Sequence, residues 1–227
     1  MAPLVLLRHG QSEWNLDNRF AGWMDVGLTA TGVEQAQRTG AFMRQHGMKF
    51  DRCYTSVLKR AAQTARFCLE SMASGDIPIE HHWRLNERHY GALHGLGKEA
   101  VAREFGEVQL RLWRRSYATR PPAASDLETD AFRRDPRYAE ASVPTSESQA
   151  DTVVRVEPFL KKVLRPALAS GTRTLIVAHG TSLRAVVKLL CGISGSDMLK
   201  LEFPNGIPFL IEFGPTGRAM LPYGLHE

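Results

Sequence analysis

The chain has 227 residues, of which 43% are hydrophobic and 23% are charged. This length and composition suffice for one large folded domain, residues 1–227, and exclude a broadly disordered or low-complexity protein. No apolar run approaches the roughly 18 residues that a membrane-spanning helix needs, so we expect no membrane partner. A formal net charge of +5 admits anionic partners. The basic residues are spread along the chain without a nucleic-acid-binding pattern, which favours a small anion over nucleic acid.

The cysteines and the N-terminus predict a cytoplasmic protein. Cys53, Cys68 and Cys191 are scattered in apolar surroundings, as is typical of small core residues in a reducing compartment. The chain enters a strand-like segment almost at once, so we expect no signal peptide.

Short apolar runs alternate with longer segments of helical character. The predicted strands are Val5–Leu7, Cys53–Thr55, Ile77–Glu80, Thr174–Ala178 and Phe209–Phe213. The first predicted helix begins after an N-cap at Thr29 and runs to about Gln45. The other predicted helices cover Val57–Met72, Lys98–Phe105, Val108–Tyr117, Ser148–Leu168 and Ser182–Leu190. This alternation predicts an α/β fold, a three-layer sandwich with a mainly parallel central sheet flanked by helices.

Two details of this assignment concern helix boundaries and loops. Ser56 is suited to cap the second helix, and Pro158 is expected to kink or split the helix that contains it. Residues 119–145 are rich in Pro, Asp, Ala and Ser with little periodicity. Loops of this length are usually lids, binding loops or disordered segments, so we predict a lid-like loop there.

The most informative pattern is a strand that ends in His-Gly, which occurs twice. The first strand runs into Arg8-His9-Gly10-Gln11-Ser12, and the strand at Thr174–Ala178 runs into His179-Gly180-Thr181-Ser182. Ligands of open α/β sheets bind at the carboxyl ends of the strands, so both histidines should lie at the functional edge. The glycines allow close approach of a ligand, and the serines that follow are suited to cap the next helices.

Three further segments concentrate charge near predicted strand or helix ends. They are Tyr54-Thr55-Ser56-Val57-Leu58-Lys59-Arg60, Leu85-Asn86-Glu87-Arg88-His89-Tyr90-Gly91 and Trp113-Arg114-Arg115-Ser116-Tyr117. Taken singly, each is also compatible with solvated surface charge or with a packing anchor.

Together these motifs resemble one known family. RHGQSEWN, AGW, YTSVLKRAAQTA, WRLNERHYGAL, WRRSY and AHGTSLRAVVK resemble the cofactor-dependent phosphoglycerate mutases of the histidine phosphatase superfamily, over about residues 3 to 214. RHG alone indicates only the superfamily. WRLNERHYGAL together with WRRSY is narrower and indicates the glycolytic mutase group.

The resemblance implies a set of catalytic roles. His9 is the expected nucleophile, and the nearby Arg8 and Arg60 should favour its unprotonated form because a like charge lowers the pKa of a histidine. Those arginines, with Asn15 and His179, would hold the phosphoryl oxygens. Glu87 is expected to donate and accept the proton, with a pKa raised toward neutrality. The alternative for Glu87 is an ion pair with Arg88, and for His179 a structural core position.

The resemblance also implies substrate contacts. These are Arg8, Gln11, Ser12, Asn15, Ala21, Gly22, Arg60, Glu87, Arg88, Tyr90, Lys98, Arg114, Arg115, Gly180 and Thr181. Six of these side chains are cationic, which suits two phosphates and a carboxylate with a summed charge of roughly −4 to −5. A simple phosphomonoesterase would not need so many cations.

The chain departs from the family pattern at three places. Ala21 replaces the usual Ser or Thr before Gly-Trp, and Thr181 replaces the usual Asn after His-Gly. Family members commonly continue beyond the equivalent of Glu227 with a polar tail. We therefore expect incomplete closure and a raised ratio of hydrolysis to isomerisation.

The sequence thus predicts an enzyme that interconverts 3-phosphoglycerate and 2-phosphoglycerate through phospho-His9, primed by 2,3-bisphosphoglycerate. No metal site is expected, since the two histidines have arginine rather than carboxylate or thiolate neighbours. The alternatives are a histidine phosphatase that hydrolyses phosphomonoesters or bisphosphoglycerate, and an inactive protein that binds acidic ligands. The family suggests a homo-oligomer, either a dimer or a tetramer.

Overall fold

A mostly parallel sheet forms the centre of the molecule. The computed structural model describes residues 2–74, 76–214, 216 and 219–220. Within these residues six strands form one sheet in the order β3-β2-β4-β1-β5-β6. They are β1 (Leu4–Arg8), β2 (Arg52–Thr55), β3 (Ile79–His81), β4 (Thr174–Ala178), β5 (Pro208–Phe213) and β6 (Ala219–Met220). The first four are parallel, whereas β5 runs antiparallel to β1, and β6 to β5.

Helices cover both faces of the sheet. They are α1 (Glu13–Leu16), α2 (Ala30–Gln45), α3 (Lys59–Ser71), α4 (Lys98–Phe105), α5 (Glu107–Arg115), α6 (Asp126–Arg134), α7 (Gln149–Phe159), α8 (Arg165–Ala169), α9 (Gly180–Cys191) and α10 (Gly195–Lys200). Leu6 and Ile176 point into the core beneath α7 and α9, whereas Val5, Leu7 and Val177 point into the core beneath α2 and α3. A strand buried on both faces has a continuous apolar sequence, which explains why β1 and β4 were recognisable. The predicted three-layer α/β fold is confirmed.

The pairing of β1 with β4 brings the two His-Gly motifs together. Arg8 lies opposite Ala178 in a parallel register, and the His9 N–H donates to the Ala178 carbonyl at 3.0 Å. The residues that follow both strands therefore leave the sheet side by side.

Thr29 and Ser12 cap helices as predicted, whereas Ser56 and Ser182 do not. The Thr29 hydroxyl accepts the Gly32 N–H at 3.1 Å, and Ser12 caps α1. The expected cap at Ser56 is wrong, because α3 begins at Lys59 with Leu58 as its N-cap residue, and the Ser56 hydroxyl lies 2.7 Å from His179 Nε2. Ser182 is not an N-cap either. Helix α9 begins at Gly180, and the Ser182 hydroxyl accepts the His179 N–H at 3.2 Å.

The segment 119–145 contains helix α6, so the prediction of a loop without secondary structure is wrong there. Ser125 and Glu128 form a capping box at its start, and this Ser-x-x-Glu spacing was the missed signal. Whether the segment acts as a lid stays a prediction. The expectation about the C-terminal tail falls on residues 221–227, outside the described residues.

Pro158 does not split its helix. The chain remains helical to Ala169, and the turn Leu160–Leu164 directly after α7 widens to a π-helix. A π-turn is one way in which a helix accommodates the hydrogen bond that proline removes. None of the helices in the described part of the chain combines the length and apolar character of a membrane span.

Candidate active site

His9 is held as a neutral imidazole with one nitrogen directed away from the backbone. Its side chain is 3% exposed, and Nδ1 lies 2.7 Å from the Gly10 carbonyl oxygen. Because a carbonyl can only accept, Nδ1 carries the proton and the lone pair is on Nε2. Burial is the main cause that holds the pKa of His9 well below its ordinary value, and the charges of Arg60 and Arg8 add to it. The sequence predicted the arginines' effect but not the larger effect of burial.

His179 lies beside His9 and is fully buried. The two ring centroids are 5.0 Å apart, and His179 Nε2 lies 2.7 Å from the Ser56 hydroxyl. Since Ser56 Oγ also accepts the Leu58 N–H at 3.2 Å, its own hydrogen is available to His179. Nδ1 of His179 is buried and has no hydrogen-bond partner among the residues that the structure describes. Burial, followed by the charge of Arg60, keeps the pKa of His179 well below its ordinary value.

Arg60 is a fixed cation next to these rings. Its guanidinium donates to the Gly22 carbonyl at 2.7 Å and to the Met24 carbonyl at 2.8 Å. Gly22 has a φ of +47°, and a Cβ there would lie 2.2 Å from His94 Nε2. This turn therefore requires glycine, and it holds the arginine in place. Burial lowers the pKa of Arg60 to about 10, which Glu87 opposes.

Glu87 borders a cavity that His9 and Arg60 also border. One carboxylate oxygen accepts the Arg88 main-chain N–H at 2.8 Å. The alternative in which Glu87 pairs with the Arg88 side chain is wrong, because the Arg88 guanidinium donates to the Trp113 carbonyl at 2.7 Å instead.

His9, Arg60 and Glu87 line a cavity of about 210 Å³, whereas His179 lies behind His9 and is not one of its lining residues. Most of the predicted site residues border it, namely Arg8, His9, Asn15, Ala21, Gly22, Arg60, Glu87, Tyr90, Lys98, Arg114, Arg115, Gly180 and Thr181. Among the described residues, seven cationic side chains and one carboxylate border the cavity, so its field strongly favours anions.

Three predicted substrate contacts do not border the cavity. Gln11 accepts the Thr29 hydroxyl through its amide oxygen at 2.9 Å, and Ser12 is used as the cap of α1. Arg88 is completely buried behind the cavity, with its guanidinium 4.5 Å from the Tyr90 ring centroid. Two main-chain carbonyls accept hydrogen bonds from its Nη1 and Nη2 atoms, which offsets part of the cost of burying the guanidinium.

Arg19, Phe20 and Arg184 border the cavity although the sequence did not single them out. Arg184 lies one helical turn after Gly180, and its Nε donates to the Leu201 carbonyl at 2.7 Å. Because residues four apart lie on the same face of a helix, the spacing between Gly180 and Arg184 could have indicated from the sequence that Arg184 faces the site. Arg19 and Phe20 lie in the loop after α1, where no periodicity could have indicated them.

Lys98 begins α4 and borders the same cavity. Its Nζ donates to Asn18 Oδ1 at 2.8 Å. Burial lowers the pKa of Lys98 to about 8, and the charges of Arg114 and Arg8 contribute. No group of three or more His, Cys, Asp or Glu side chains comes together as a metal site in the part of the chain that the structure describes.

The sequence matches the profile of the histidine phosphatase superfamily (branch 1) over residues 4–134 and 123–224. The chain therefore belongs to this superfamily, which agrees with the two strand-His-Gly units and the cationic cavity beside them.

Several solved structures share the fold. A putative alpha-ribazole-5'-P phosphatase from Escherichia coli is 24% identical over 97% of this chain and 94% of its own, with a TM-score of 0.74. A mycobacterial glucosyl-3-phosphoglycerate phosphatase is 23% identical over 98% of both chains, also with a TM-score of 0.74. A phosphoglycerate mutase from Bacillus anthracis is 22% identical over 97% of this chain and 91% of its own, with a TM-score of 0.71. At these identities the likeness concerns the fold.

Proposed function

We propose that this chain interconverts 3-phosphoglycerate and 2-phosphoglycerate through a phosphoryl group carried on His9, with 2,3-bisphosphoglycerate as the primer. The observation that carries the proposal is the number of cations around the cavity. Besides Arg8 and Arg60 near His9, the cavity is bordered by Arg19, Lys98, Arg114, Arg115 and Arg184. One phosphate carries about −1.5 to −2, so this many cations suit a ligand with a second anionic end.

Unpartnered donors support the binding of a phosphoryl group beside His9. Arg8 Nε and His179 Nδ1 are buried without a protein partner among the described residues. Such groups normally find an acceptor, and phosphoryl oxygens would provide it. Bound 2,3-bisphosphoglycerate would supply the phosphoryl group that loads His9, held by these donors and by the cavity arginines.

The reaction that we propose uses His9 and Glu87 in complementary roles. His9 Nε2 attacks phosphorus, the N–P bond forms as the P–O bond breaks, and Glu87 gives its proton to the leaving oxygen. In the second half, Glu87 takes the proton of the attacking hydroxyl while the phosphoryl group returns to it. Arg8 and Arg60 would stabilise the charge on the phosphoryl oxygens during both transfers.

A second candidate is a phosphatase that transfers the phosphoryl group from His9 to water. Arg114 and Arg115 are exposed, so solvent reaches that side of the cavity, and Ala21 offers no hydroxyl to the substrate. Two of the structures that share the fold are named as phosphatases. The same loading of His9 would serve this reaction.

The test compares isomerisation with release of inorganic phosphate by the same preparation. Incubation with 2,3-bisphosphoglycerate should leave an acid-labile phosphate on the peptide that contains His9, and 3-phosphoglycerate should then isomerise faster than phosphate appears. Phosphate release that equals or exceeds isomerisation would establish the phosphatase. Absence of any labile phosphate on His9 would reject both reactions and favour a binding protein.

We further propose, from the family resemblance, that the protein is cytoplasmic and forms homodimers or homotetramers with one active site per subunit. Light scattering coupled to gel filtration tests the oligomeric state, and a monomer at micromolar concentration would contradict it.

A further inference from the structure

Two buried charged residues outside the cavity form an ion pair whose role the proposed reaction leaves open. Glu147 and Arg155 are 3% and 8% exposed. Arg155 Nε donates to one carboxylate oxygen of Glu147 at 2.6 Å, and Nη2 donates to the other at 3.0 Å. A buried pair is weak evidence for a stabilising role, because removal of both charges from water costs free energy. Its other contacts indicate a different role.

The remaining donors and acceptors of the pair bind the main chain around Glu87. Arg155 donates to four carbonyl groups there, those of Trp83 (3.5 Å), Arg84 (2.7 Å), Asn86 (3.2 Å) and Glu87 (3.1 Å). Glu147 accepts the N–H of His89 at 2.8 Å. The pair therefore fixes the backbone on both sides of Glu87.

The Glu87 side chain depends on this backbone for its direction. Within the described part of the chain, its carboxylate accepts one hydrogen bond, from the Arg88 N–H at 2.8 Å. The Glu87 carbonyl also accepts the Trp23 indole N–H at 2.7 Å, and the Arg155 guanidinium lies 5.6 Å from the Trp23 ring centroid. Any shift of this segment would move the carboxylate relative to His9.

We propose that Glu147 and Arg155 are positioning residues, whose ion pair directs the Glu87 carboxyl group at the ester oxygen of the substrate. This inference rests on the proposed function in one respect, the role of Glu87 as proton donor. It holds equally whether the phosphoryl group returns to a sugar acid or passes to water.

The chemistry of the leaving group separates positioning of Glu87 from a general structural role. When His9 attacks an alkyl phosphate such as 2,3-bisphosphoglycerate, the departing oxygen needs the proton of Glu87. When it attacks 4-nitrophenyl phosphate, the nitrophenolate departs as a stable anion and needs no proton. A misplaced Glu87 should therefore slow only the first reaction, whereas a damaged cavity slows both.

The experiment measures the rate of His9 phosphorylation by each ester in single turnovers, for the wild type and for Arg155→Met, Arg155→Lys and Glu147→Gln. For Arg155→Met we expect a loss of about 100-fold with the alkyl ester, as a displacement of the order of 1 Å can cause. The loss with the aryl ester should be under about tenfold, since proton donation is not needed there. Arg155→Lys should not restore the rate, because an ammonium group cannot serve several carbonyls at once. Glu147→Gln keeps an acceptor for the His89 N–H. This variant should therefore also lose more rate with the alkyl ester than with the aryl ester, but less than Arg155→Met does.

Arg120→Met is the matched control. Arg120 forms an ion pair at 2.6 Å with Asp151, which lies in the first turn of α7, the helix that also carries Arg155. It should leave both rates unchanged. Glu87→Gln is the reference variant, because it shows how much more the alkyl ester is slowed than the aryl ester when the proton donor is lost.

A larger loss of rate with the alkyl ester than with the aryl ester, in variants that fold, supports the inference. Equal losses with both esters, or no loss with either, would overturn it. If Arg155→Met does not fold, as judged by circular dichroism, the rate losses of Glu147→Gln with the alkyl and aryl esters decide between the two outcomes. A wild type that never phosphorylates His9 would instead refute the proposed function.

Discussion

At the residue scale, the hydrogen bond and the burial of His9 determine the protonation state of its ring. The Gly10 carbonyl fixes the proton on Nδ1, and burial keeps the ring neutral. We predict that His9→Ala abolishes both isomerisation and phosphate release, because the covalent route is lost, while the fold is retained. Enzyme assays and circular dichroism check this. His46→Ala is the matched control, since His46 is exposed on the surface. Near-normal turnover by His9→Ala would assign the nucleophile elsewhere.

Lys98 gives a prediction for pH dependence. Burial lowers its pKa to about 8, so the side chain is charged below that pH and loses its charge above it. Phosphate monoesters remain dianionic there, because their second pKa is about 6. The KM for 3-phosphoglycerate should therefore rise as the pH increases through about 8, by about tenfold for this partly exposed contact.

Two variants test the assignment of this pH dependence to Lys98. Lys98→Met should have a high KM that no longer changes in this pH range, and Lys98→Arg should keep a low KM to higher pH. If Lys98→Arg and the wild type show the same pH profile, another group is responsible.

Arg114 and Arg115 should determine the preference for a substrate with two anionic ends. Both are exposed at the cavity and close α5. Replacement of both by Ala should weaken 3-phosphoglycerate binding by about 1.5–3 kcal/mol in total. Phosphorylation of His9 by 4-nitrophenyl phosphate should be nearly unchanged, since Arg8 and Arg60 remain. Equal losses with the two substrates would show that this arginine pair does not bind the second anion.

At the element scale, the packing of α2 against α3 holds the helix that carries Arg60. A Cβ at Gly40 on α2 would lie 2.1 Å from the Cys68 carbonyl oxygen on α3. Gly40→Ala must therefore push the helices apart, and we expect a loss of about 1–3 kcal/mol in the free energy of unfolding. Activity should fall as well, because Arg60 moves with α3. Urea unfolding measures the effect.

Gln37→Ala provides the comparison on the same helix, because Gln37 is exposed. Its effect should stay within about 0.5 kcal/mol. If the two variants are equally stable, the close approach of α2 and α3 is not maintained in solution.

At the scale of the whole molecule, stability depends on the central strands that separate two cores. Leu6 on β1 is 0% exposed and packs beneath α7 and α9. Leu6→Ala should cost about 2–5 kcal/mol, through lost apolar burial and the cavity that remains. Leu127 is 77% exposed on α6, so Leu127→Ala should change stability by less than about 0.5 kcal/mol. Similar values for the two leucines would contradict this two-sided core.

The central strands and the closeness of the two His-Gly motifs could be predicted from the amino-acid sequence alone. Apolar runs such as β1 and β4 are buried on both faces, and that requirement appears directly as composition. Parallel strands present their carboxyl ends at one edge, so the order of residues was enough to predict that His9 and His179 lie together. Both signals are local, which is why they can be recognised along a single chain.

The direction in which each charged side chain points could be known only from the folded chain. Arg88 and Arg184 look equally suitable in sequence, yet Arg88 turns to buried carbonyls and Arg184 borders the cavity. Glu147 and Arg155 carry no motif that connects them with Glu87. Their role depends on which backbone groups need a partner after folding, and that depends on long-range packing. Charged side chains are long and can satisfy their donors in many places, so their neighbours, and not their spacing along the chain, fix where they point.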